Sequence, residues 1–160
     1  MADFSRFSHP LWIEYAHKES GVLGRSLWRV VKGFRYSVGE VNSGIHVDVP
    51  RGYLMDGASV PRFLWSIIPP WGAYGQATAV HDVLCEYLSY TVNGKPTRIT
   101  RKMADRILAD AMECLDVPES EALKINLAVE AYRKIQRLQE PSWHKGKAEL
   151  EAKWLANNPE

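Results

Sequence analysis

One histidine and three aspartates in the middle of the chain have the residue types that proton transfer and metal binding require. His81 and Asp82 are adjacent in a predicted helix, and Asp105 lies in the next one. Asp56 precedes Gly57 at a predicted strand end. An imidazole whose ordinary pKa is about 6.5 suits a general base, and a bonded carboxylate fixes its tautomer. We therefore predict His81 and Asp105 as a catalytic pair, with Asp82 and Asp56 as ligands of a divalent cation, calcium or magnesium.

Each of these residues also has an ordinary structural explanation. A histidine on the flank of a helix is often a hydrogen-bonded structural residue, and an aspartate before a glycine usually accepts turn N–H groups. Asp105 can pair with Arg101 or Arg106, or face water. His81 and Cys85 are four residues apart, so a thiol–imidazole pair or two ligands of a metal are further alternatives. The sequence alone leaves these interpretations open.

The segment between Asp56 and His81 supplies the candidates for substrate binding. Ser59 suits a helix N-cap, and no G-x-S-x-G elbow surrounds it that would indicate a nucleophile. Trp65, Trp71 and Tyr74 flank a pair of prolines. These aromatic residues either pack a helix against the sheet or form an apolar wall beside the site, which would suit an acyl or glycan substrate.

Strand patterns precede helix patterns along the chain. Segments rich in β-branched and aromatic residues, separated by glycines, predict strands in LWIEYA, SLWRVV, FRYSV and IHVDV. In the last of these, Ile45, Val47 and Val49 alternate with His46 and Asp48, which favours a half-buried strand. Apolar spacing and cap residues predict helices over 60–68, 76–88, 101–115, 118–139 and part of the tail after Pro141, with Thr100 as the cap of the third. The turn at 93–96 separates two of these helices. The predicted fold class is α+β, with a small N-terminal antiparallel sheet followed by a bundle of three to four helices.

Length and composition predict one globular domain. The chain has 160 residues, of which 46% are hydrophobic and 24% charged, with a formal net charge of +1. That charge argues against nucleic acid as a partner, and no apolar run is long enough for a transmembrane segment. The N-terminus lacks the layout of a secretory signal, which predicts a cytoplasmic location. Cys85 and Cys114 are too few for a disulfide framework, so reduced thiols are expected.

The chain divides into three predicted parts within this domain. Residues 1–33 form an N-terminal extension with strands, 34–139 form the core, and 140–160 form an amphipathic tail. The apolar tail residues are Trp143, Leu150, Trp154 and Leu155. They either dock on the domain's own helices or meet another protein, since aromatic residues concentrate at interfaces. An oligomer is one form that such association could take.

Several short motifs give the chain a resemblance to a known family. They are Val49-Pro-Arg-Gly-Tyr53, Asp56-Gly-Ala-Ser-Val-Pro-Arg62, Trp65, Pro69-Pro-Trp-Gly72, Ala79-Val-His-Asp82, Arg101-Lys-Met-Ala-Asp-Arg106 and Ala111-Met112. In order and spacing over about residues 34–135, they resemble the domain of unknown function family 1353 of tailed bacteriophages and prophages. The resemblance implies an α+β fold, a phage origin, and a location in the host cytoplasm or the virion, with a phage or host protein as partner. It implies no established activity.

A more local resemblance concerns the chemistry. A helical His81-Asp82 pair followed by Asp105-Arg106 on a second helix is similar to secreted phospholipase A2. In that family the histidine activates water, the adjacent aspartate binds calcium, and the distant aspartate orients the imidazole. The chain departs from the pattern at Ala77 and Thr78, where that family has cysteines, and it has no usual glycine-rich calcium loop.

Two classes of function follow from these observations. The first is a metal-assisted hydrolase of an ester or amide bond in lipid, cell envelope or a host metabolite. The second is a non-catalytic phage virion, tail or host-factor-binding protein. The His-Asp doublet also occurs in HD-type phosphohydrolases, but the upstream helical histidine of that group is missing, because His46 lies in a predicted strand. The spatial relation of the histidine to the aspartates discriminates between the two classes.

Overall fold

Helices and two antiparallel sheets make up the part of the chain that the computed structural model describes, which is residues 4–55 and 72–160. The strands are β1 (Ile13–Tyr15), β2 (Trp28–Val30), β3 (Phe34–Ser37), β4 (Ile45–Val49), β5 (Leu54–Met55), β6 (Ser89–Val92) and β7 (Lys95–Arg98). The α-helices are α1 (His17–Leu23), α2 (Gly75–Tyr87), α3 (Arg101–Cys114), α4 (Glu119–Ile135) and α5 (Lys145–Asn157). The predicted mixture of helices with antiparallel sheet is confirmed.

The smaller sheet has three strands in the order β1-β2-β5. β2 pairs with both neighbours, so that Trp28 lies opposite Tyr15 on one side and Met55 on the other. Leu54 of β5 and Leu27, which precedes β2, are fully buried, and Leu150 of α5 packs against them. The predicted N-terminal extension therefore contributes strands to a sheet that also includes residues from the predicted core.

The larger sheet has four strands in the order β3-β4-β6-β7. In β4, Val47 and Val49 are buried while Asp48 between them is exposed, as the alternating pattern predicted. Asn93 and Gly94 both have positive φ angles and form the two-residue turn of the β6–β7 hairpin.

Two predictions about the layout are wrong. The sheet is not only N-terminal, because β6 and β7 follow α2 in the chain and join the sheet beside β4. The segment His17–Leu23 is a helix, although the sequence around it predicts strands and loops. The helix ends at Gly24, whose backbone has the left-handed conformation. The predicted helix over 60–68 lies outside the described residues.

The helices that carry the candidate residues lie at the centre of the molecule. α2 packs on β4 and on α3, and α3 packs on α4. Thr100 caps α3 as predicted, since its Oγ1 accepts a hydrogen bond from the N–H of Met103 at 3.2 Å. α4 ends at Ile135, four residues earlier than the sequence suggested. No helix in the described ranges is long and apolar enough to cross a membrane.

The tail helix α5 is anchored to the domain by a buried lysine. Lys147 is 6% exposed, and its Nζ lies 2.7 Å from Glu86 Oε1 of α2 and 3.5 Å from Glu151 Oε2. The same ammonium lies 3.9 Å from the ring centroid of Tyr53. Glu151 also accepts a hydrogen bond from the N–H of Leu54 at 2.9 Å. The tail thus docks on the domain's own sheet and on α2.

Trp154 completes this contact at the far end of α5. The guanidinium groups of Arg29 and Arg51 contact its ring, with their central carbons 4.6 and 4.7 Å from the ring centroid. Gly52, with a φ of +88°, packs directly against Leu155 and Trp154. A side chain at position 52 would meet Leu155, so the glycine permits the close approach of the helix.

Replacing the buried lysine tests whether α5 contributes to stability. We expect Lys147→Met to lower the free energy of unfolding by about 3 kcal/mol, because it leaves the Glu86 carboxylate buried without its cation. Lys145→Met is the matched control, since Lys145 lies on the same helix with an exposed side chain. Urea unfolding followed by circular dichroism measures both variants. Equal effects of the two substitutions would contradict a buried anchor.

Candidate functional site

His81 and Asp105 are brought together by the packing of α2 on α3. His81 lies in the middle of α2, on the face that is covered by α3, and is only 4% exposed. Its Nε2 donates a hydrogen bond to Asp105 Oδ1 at 2.8 Å. The predicted hydrogen bond between these two residues is confirmed, and their catalytic role stays a prediction. Two different helices supply the partners, so the contact depends on the tertiary packing and not on a local turn.

A third residue, Arg133 of α4, joins the pair. Its Nε donates to Asp105 Oδ2 at 2.7 Å, so each carboxylate oxygen of Asp105 has its own cationic or polar partner. The sequence suggested Arg101 or Arg106 as the partner of Asp105. Arg101 instead donates from Nε and Nη2 to the carbonyl oxygen of Glu140, at 3.2 and 2.8 Å.

Cys85 lies one helical turn after His81 and faces the same imidazole. Its Sγ is 3.5 Å from Nε2 and 3.9 Å from Nδ1 of His81. The thiol is buried, at 7% exposure. This geometry confirms the thiol–imidazole pair that the spacing of four residues offered as an alternative.

The charges of the three groups depend on one another. Burial alone would lower the pKa of His81, but Cys85 and Asp105 stabilise the imidazolium and raise the pKa to about 10. Burial would raise the pKa of Asp105, yet the hydrogen bonds from His81 and Arg133 hold it below its usual value. Burial would likewise raise the pKa of Cys85, but the neighbouring His81 lowers it. At neutral pH the cluster therefore holds a protonated imidazole between a carboxylate and a thiol that ionises readily.

The other predicted site residues are distributed as follows. Asp82 is partly buried on α2, and its carboxylate adds to the stabilisation of the His81 imidazolium. Tyr74 precedes α2 and is fully buried in the main core. Burial and the nearby Glu121 raise the pKa of the Tyr74 hydroxyl. The remaining four predicted residues lie outside the described ranges, namely Asp56, Ser59, Trp65 and Trp71.

The predicted metal site depends on a residue that is not described. Within residues 4–55 and 72–160, no group of three or more histidine, cysteine, aspartate or glutamate side chains is arranged to hold a metal ion. Asp82 can supply one hard oxygen ligand, and the predicted second ligand, Asp56, lies outside these ranges.

Arg133 is the member of the cluster that sequence reasoning missed. It occurs in the last turn of α4, where a basic residue has an ordinary role in balancing the helix dipole. Its spacing from Asp105 carries no signal, because the two residues meet only through the packing of α4 on α3. Buried residues on α4 such as Ile125 and Val129 orient the helix.

Removing the Asp105 charge should lower the pKa of His81. We expect Asp105→Asn to reduce it by about one to three units, because the amide no longer stabilises the imidazolium with a negative charge. Since the folded pKa of about 10 exceeds the usual 6.5, the contribution of His81 to the free energy of unfolding is full below pH 6.5 and is lost as pH rises towards 10. A nuclear magnetic resonance titration of the His81 ring measures the shift. The exposed His9 serves as internal control.

The thiol of Cys85 should ionise at lower pH than an ordinary cysteine. In a Cys114→Ser background, which leaves one thiol, we expect the ultraviolet thiolate absorbance to titrate below pH 9. Adding His81→Gln should move that titration to higher pH, because the imidazolium that stabilises the thiolate is gone. The same titration curve in both variants would show that His81 does not act on the thiol.

Comparison with known proteins places the chain in a family. It is 45% identical over 53 residues to the uncharacterized protein y4jT of Sinorhizobium fredii (strain NBRC 101917 / NGR234). This match covers 32% of the chain and 16% of the relative, so the chain spans only a small part of that relative's length. No solved structure matches the chain. A family model described as protein of unknown function (DUF1353) matches residues 28–129, which is more than half of the sequence, and the chain therefore belongs to this family.

Proposed function

We propose that the chain is a hydrolase of an ester or amide bond, with His81 and Asp105 as its acid–base pair. The observation that carries this proposal is the 2.8 Å hydrogen bond from His81 Nε2 to Asp105 Oδ1, made between two helices and fixed from the far side by Arg133. A carboxylate that orients a histidine in this way selects one tautomer, which leaves Nδ1 as the atom that exchanges a proton with water or substrate.

The protonation state of His81 sets the pH range of such a reaction. Because its pKa is raised to about 10, the imidazole is protonated at neutral pH and acts there as a proton donor. It becomes a base that can activate water only when it loses that proton. The hydrolysis rate should therefore rise as pH increases from 7 towards 10.

A divalent cation is the second part of this proposal. Asp82 follows His81 directly, and its carboxylate is the kind of ligand that calcium or magnesium takes. Asp56 is the proposed second ligand. When bound, the cation would supply electrostatic stabilisation of the oxygen that becomes negative in the reaction. The aromatic residues Trp65, Trp71 and Tyr74, with Ser59, are the proposed substrate-binding residues.

The biological setting is proposed from the resemblance to phage proteins. A phage-encoded accessory protein of this kind would act in the host cytoplasm or be carried in the virion. Its substrate would be a lipid, a cell-envelope component or a host metabolite that contains an ester or amide bond. The N-terminal segment and the tail are proposed to contact a phage or host protein, and Trp143 presents a half-exposed ring for this purpose.

Hydrolysis of p-nitrophenyl butyrate by the full chain tests the activity. We expect His81→Asn to reduce the rate by at least about 100-fold, because removal of a general acid–base group has an effect of that size. A second variant, Asp105→Asn, should shift the pH dependence of the hydrolysis rate to lower pH, because the substitution lowers the pKa of His81. The rate is measured between pH 6 and 10, with calcium and with a chelator.

Control variants separate this outcome from a loss of folding. His9→Gln changes an exposed histidine and should leave the rate unchanged. Circular dichroism confirms that each variant is folded. An unchanged rate in folded His81→Asn would refute the assignment of the reaction to this site, and equal rates with calcium and with chelator would refute the part played by the cation.

A second candidate function is that of a non-catalytic binding protein. The observation that favours it is the enclosure of the pair, because His81 is 4% exposed and Cys85 is 7% exposed. Large apolar side chains are instead exposed on other helices. A wild-type chain with no esterase activity, and with a stability that depends on Asp105, would favour this candidate.

A further inference from the structure

The outer face of α4 carries a ridge of exposed apolar side chains. Leu123 and Leu127 are each 57% exposed, and Ile135 is 75% exposed. Together with the exposed Ala131, they occupy every fourth position of the helix. Residues at this spacing are neighbours on a helix surface, so the four side chains form one continuous ridge. We refer to these four residues as the α4 ridge.

The α4 ridge points away from the core. The buried residues of the same helix are Ile125 and Val129, which pack into the main hydrophobic core. Successive residues of an α-helix are rotated by about 100° around its axis. Leu127 is two residues from both Ile125 and Val129, so its side chain points about 160° away from each of theirs. The helix is therefore apolar on two opposite faces, and only one of these faces is covered in the monomer. A helix that buries one face normally exposes polar residues on the other.

Charge is distributed unevenly along this helix. Glu119 and Glu121 lie in its first turn, whereas Arg133 and Lys134 lie in its last turn. Both of these basic residues form ion pairs within the chain. The Nζ of Lys134 lies 2.7 Å from Glu130 Oε1 on the same helix, and Arg133 pairs with Asp105 on α3. Lys124 is the remaining charged residue between the two ends, and Arg137 follows the helix with a further positive charge. The first half of the helix, with Glu119, Glu121 and Lys124, therefore has a net charge of −1, and the second half together with Arg137 has a net charge of +2, although Arg133 and Lys134 are already paired within the chain.

We propose that the α4 ridge is a self-association surface that pairs with the same ridge of a second copy of this chain in an antiparallel arrangement. Antiparallel pairing places the acidic end of one helix beside the basic end of the other, and it also opposes the two helix dipoles. Parallel pairing would place like charges together at both ends, whereas the antiparallel pair brings only Lys124 and Lys134 of the two copies together as like charges. A two-fold axis near the middle of the ridge brings Leu127 beside Ala131 of the second copy and Leu123 beside Ile135.

The size of the surface sets the strength of this association. A single helix of 17 residues is about 25 Å long, so one helix pair covers an area at the low end of specific interfaces. The dimer should accordingly be in exchange with monomer and should form as the protein concentration rises. Its apolar centre is flanked by charges, so added salt should weaken it only moderately.

Sedimentation velocity over a concentration series tests the proposal with the full chain. We expect the weight-average sedimentation coefficient of the wild type to rise from that of a monomer towards that of a dimer. Leu127→Glu should weaken the association at least about tenfold, because it places a charge at the centre of the apolar contact. Val22→Glu is the matched control, since Val22 is 69% exposed on α1 and the substitution adds the same charge. Thermal unfolding shows that both variants keep the fold.

Disulfide trapping tests the orientation. In a background of Cys85→Ser and Cys114→Ser, a mixture of Leu123→Cys and Ile135→Cys chains should form a cross-linked heterodimer on oxidation. Leu123→Cys alone should not cross-link, because two antiparallel copies separate these residues by about 18 Å, the rise of twelve helical residues. A wild type that stays monomeric at every concentration would overturn the proposal. Cross-linking of Leu123→Cys with itself, or equal weakening by the two glutamate substitutions, would overturn it as well.

Discussion

The carboxylate of Asp105 is the interaction on which the arrangement of the central helices depends. Asp105 belongs to α3 and lies between α2 and α4. One of its carboxylate oxygens accepts a hydrogen bond from His81 on α2, and the other accepts one from Arg133 on α4. A carboxylate in such a place loses much of its hydration, and only well-oriented partners compensate for that loss. The rotation of α2 and α4 about their own axes is therefore restricted to orientations that bring these two side chains to Asp105. The same restriction places Cys85 beside the imidazole, because Cys85 follows His81 by one turn.

This arrangement has a direct consequence for the chemistry of the site. A histidine that is enclosed without an anion would lose its proton at lower pH than usual, because burial disfavours the charged form. Here the carboxylate and the thiol reverse that tendency, so the charge of His81 is maintained by its neighbours. The hydrogen bond from His81 to Asp105 thus both orients the central helices and holds the imidazole that would transfer a proton. A change at Asp105 would affect packing and proton transfer together, which is why pH profiles and pKa values discriminate better than loss of activity alone.

The parts of this arrangement that sequence reasoning predicted are the local ones. The cap at Thr100, the helix of His81, the alternation of β4 and the pairing of His81 with Asp105 all follow from patterns or from residues that a family motif groups together. The hairpin of β6 and β7 was missed, because each strand has only four residues, and because β7 is polar and contains Pro96, which argues against a strand. Arg133 was missed because its contact depends on how α4 is rotated on α3. Lys147 was missed for a similar reason, since a lysine among other charges in a tail segment suggests a solvated face.

A common pattern connects these missed residues. The central helices α2 and α3 present carboxylates at Glu86, Asp105 and Asp110, and each of these meets a cation from a peripheral element. Lys147 comes from α5, and Arg133 comes from α4. Arg6 comes from a short 3-10 helix at Phe4–Arg6, and it also donates to the Tyr36 hydroxyl at 2.8 Å. Hydrophobic contact is non-directional, so by itself it fixes the register of these elements less specifically than an ion pair with defined geometry does. A buried cation that reaches one carboxylate cannot slide without losing its partner, and an unpaired buried charge is strongly destabilising. The three ion pairs therefore specify where each peripheral element docks, and sequence patterns that describe one element at a time cannot show them.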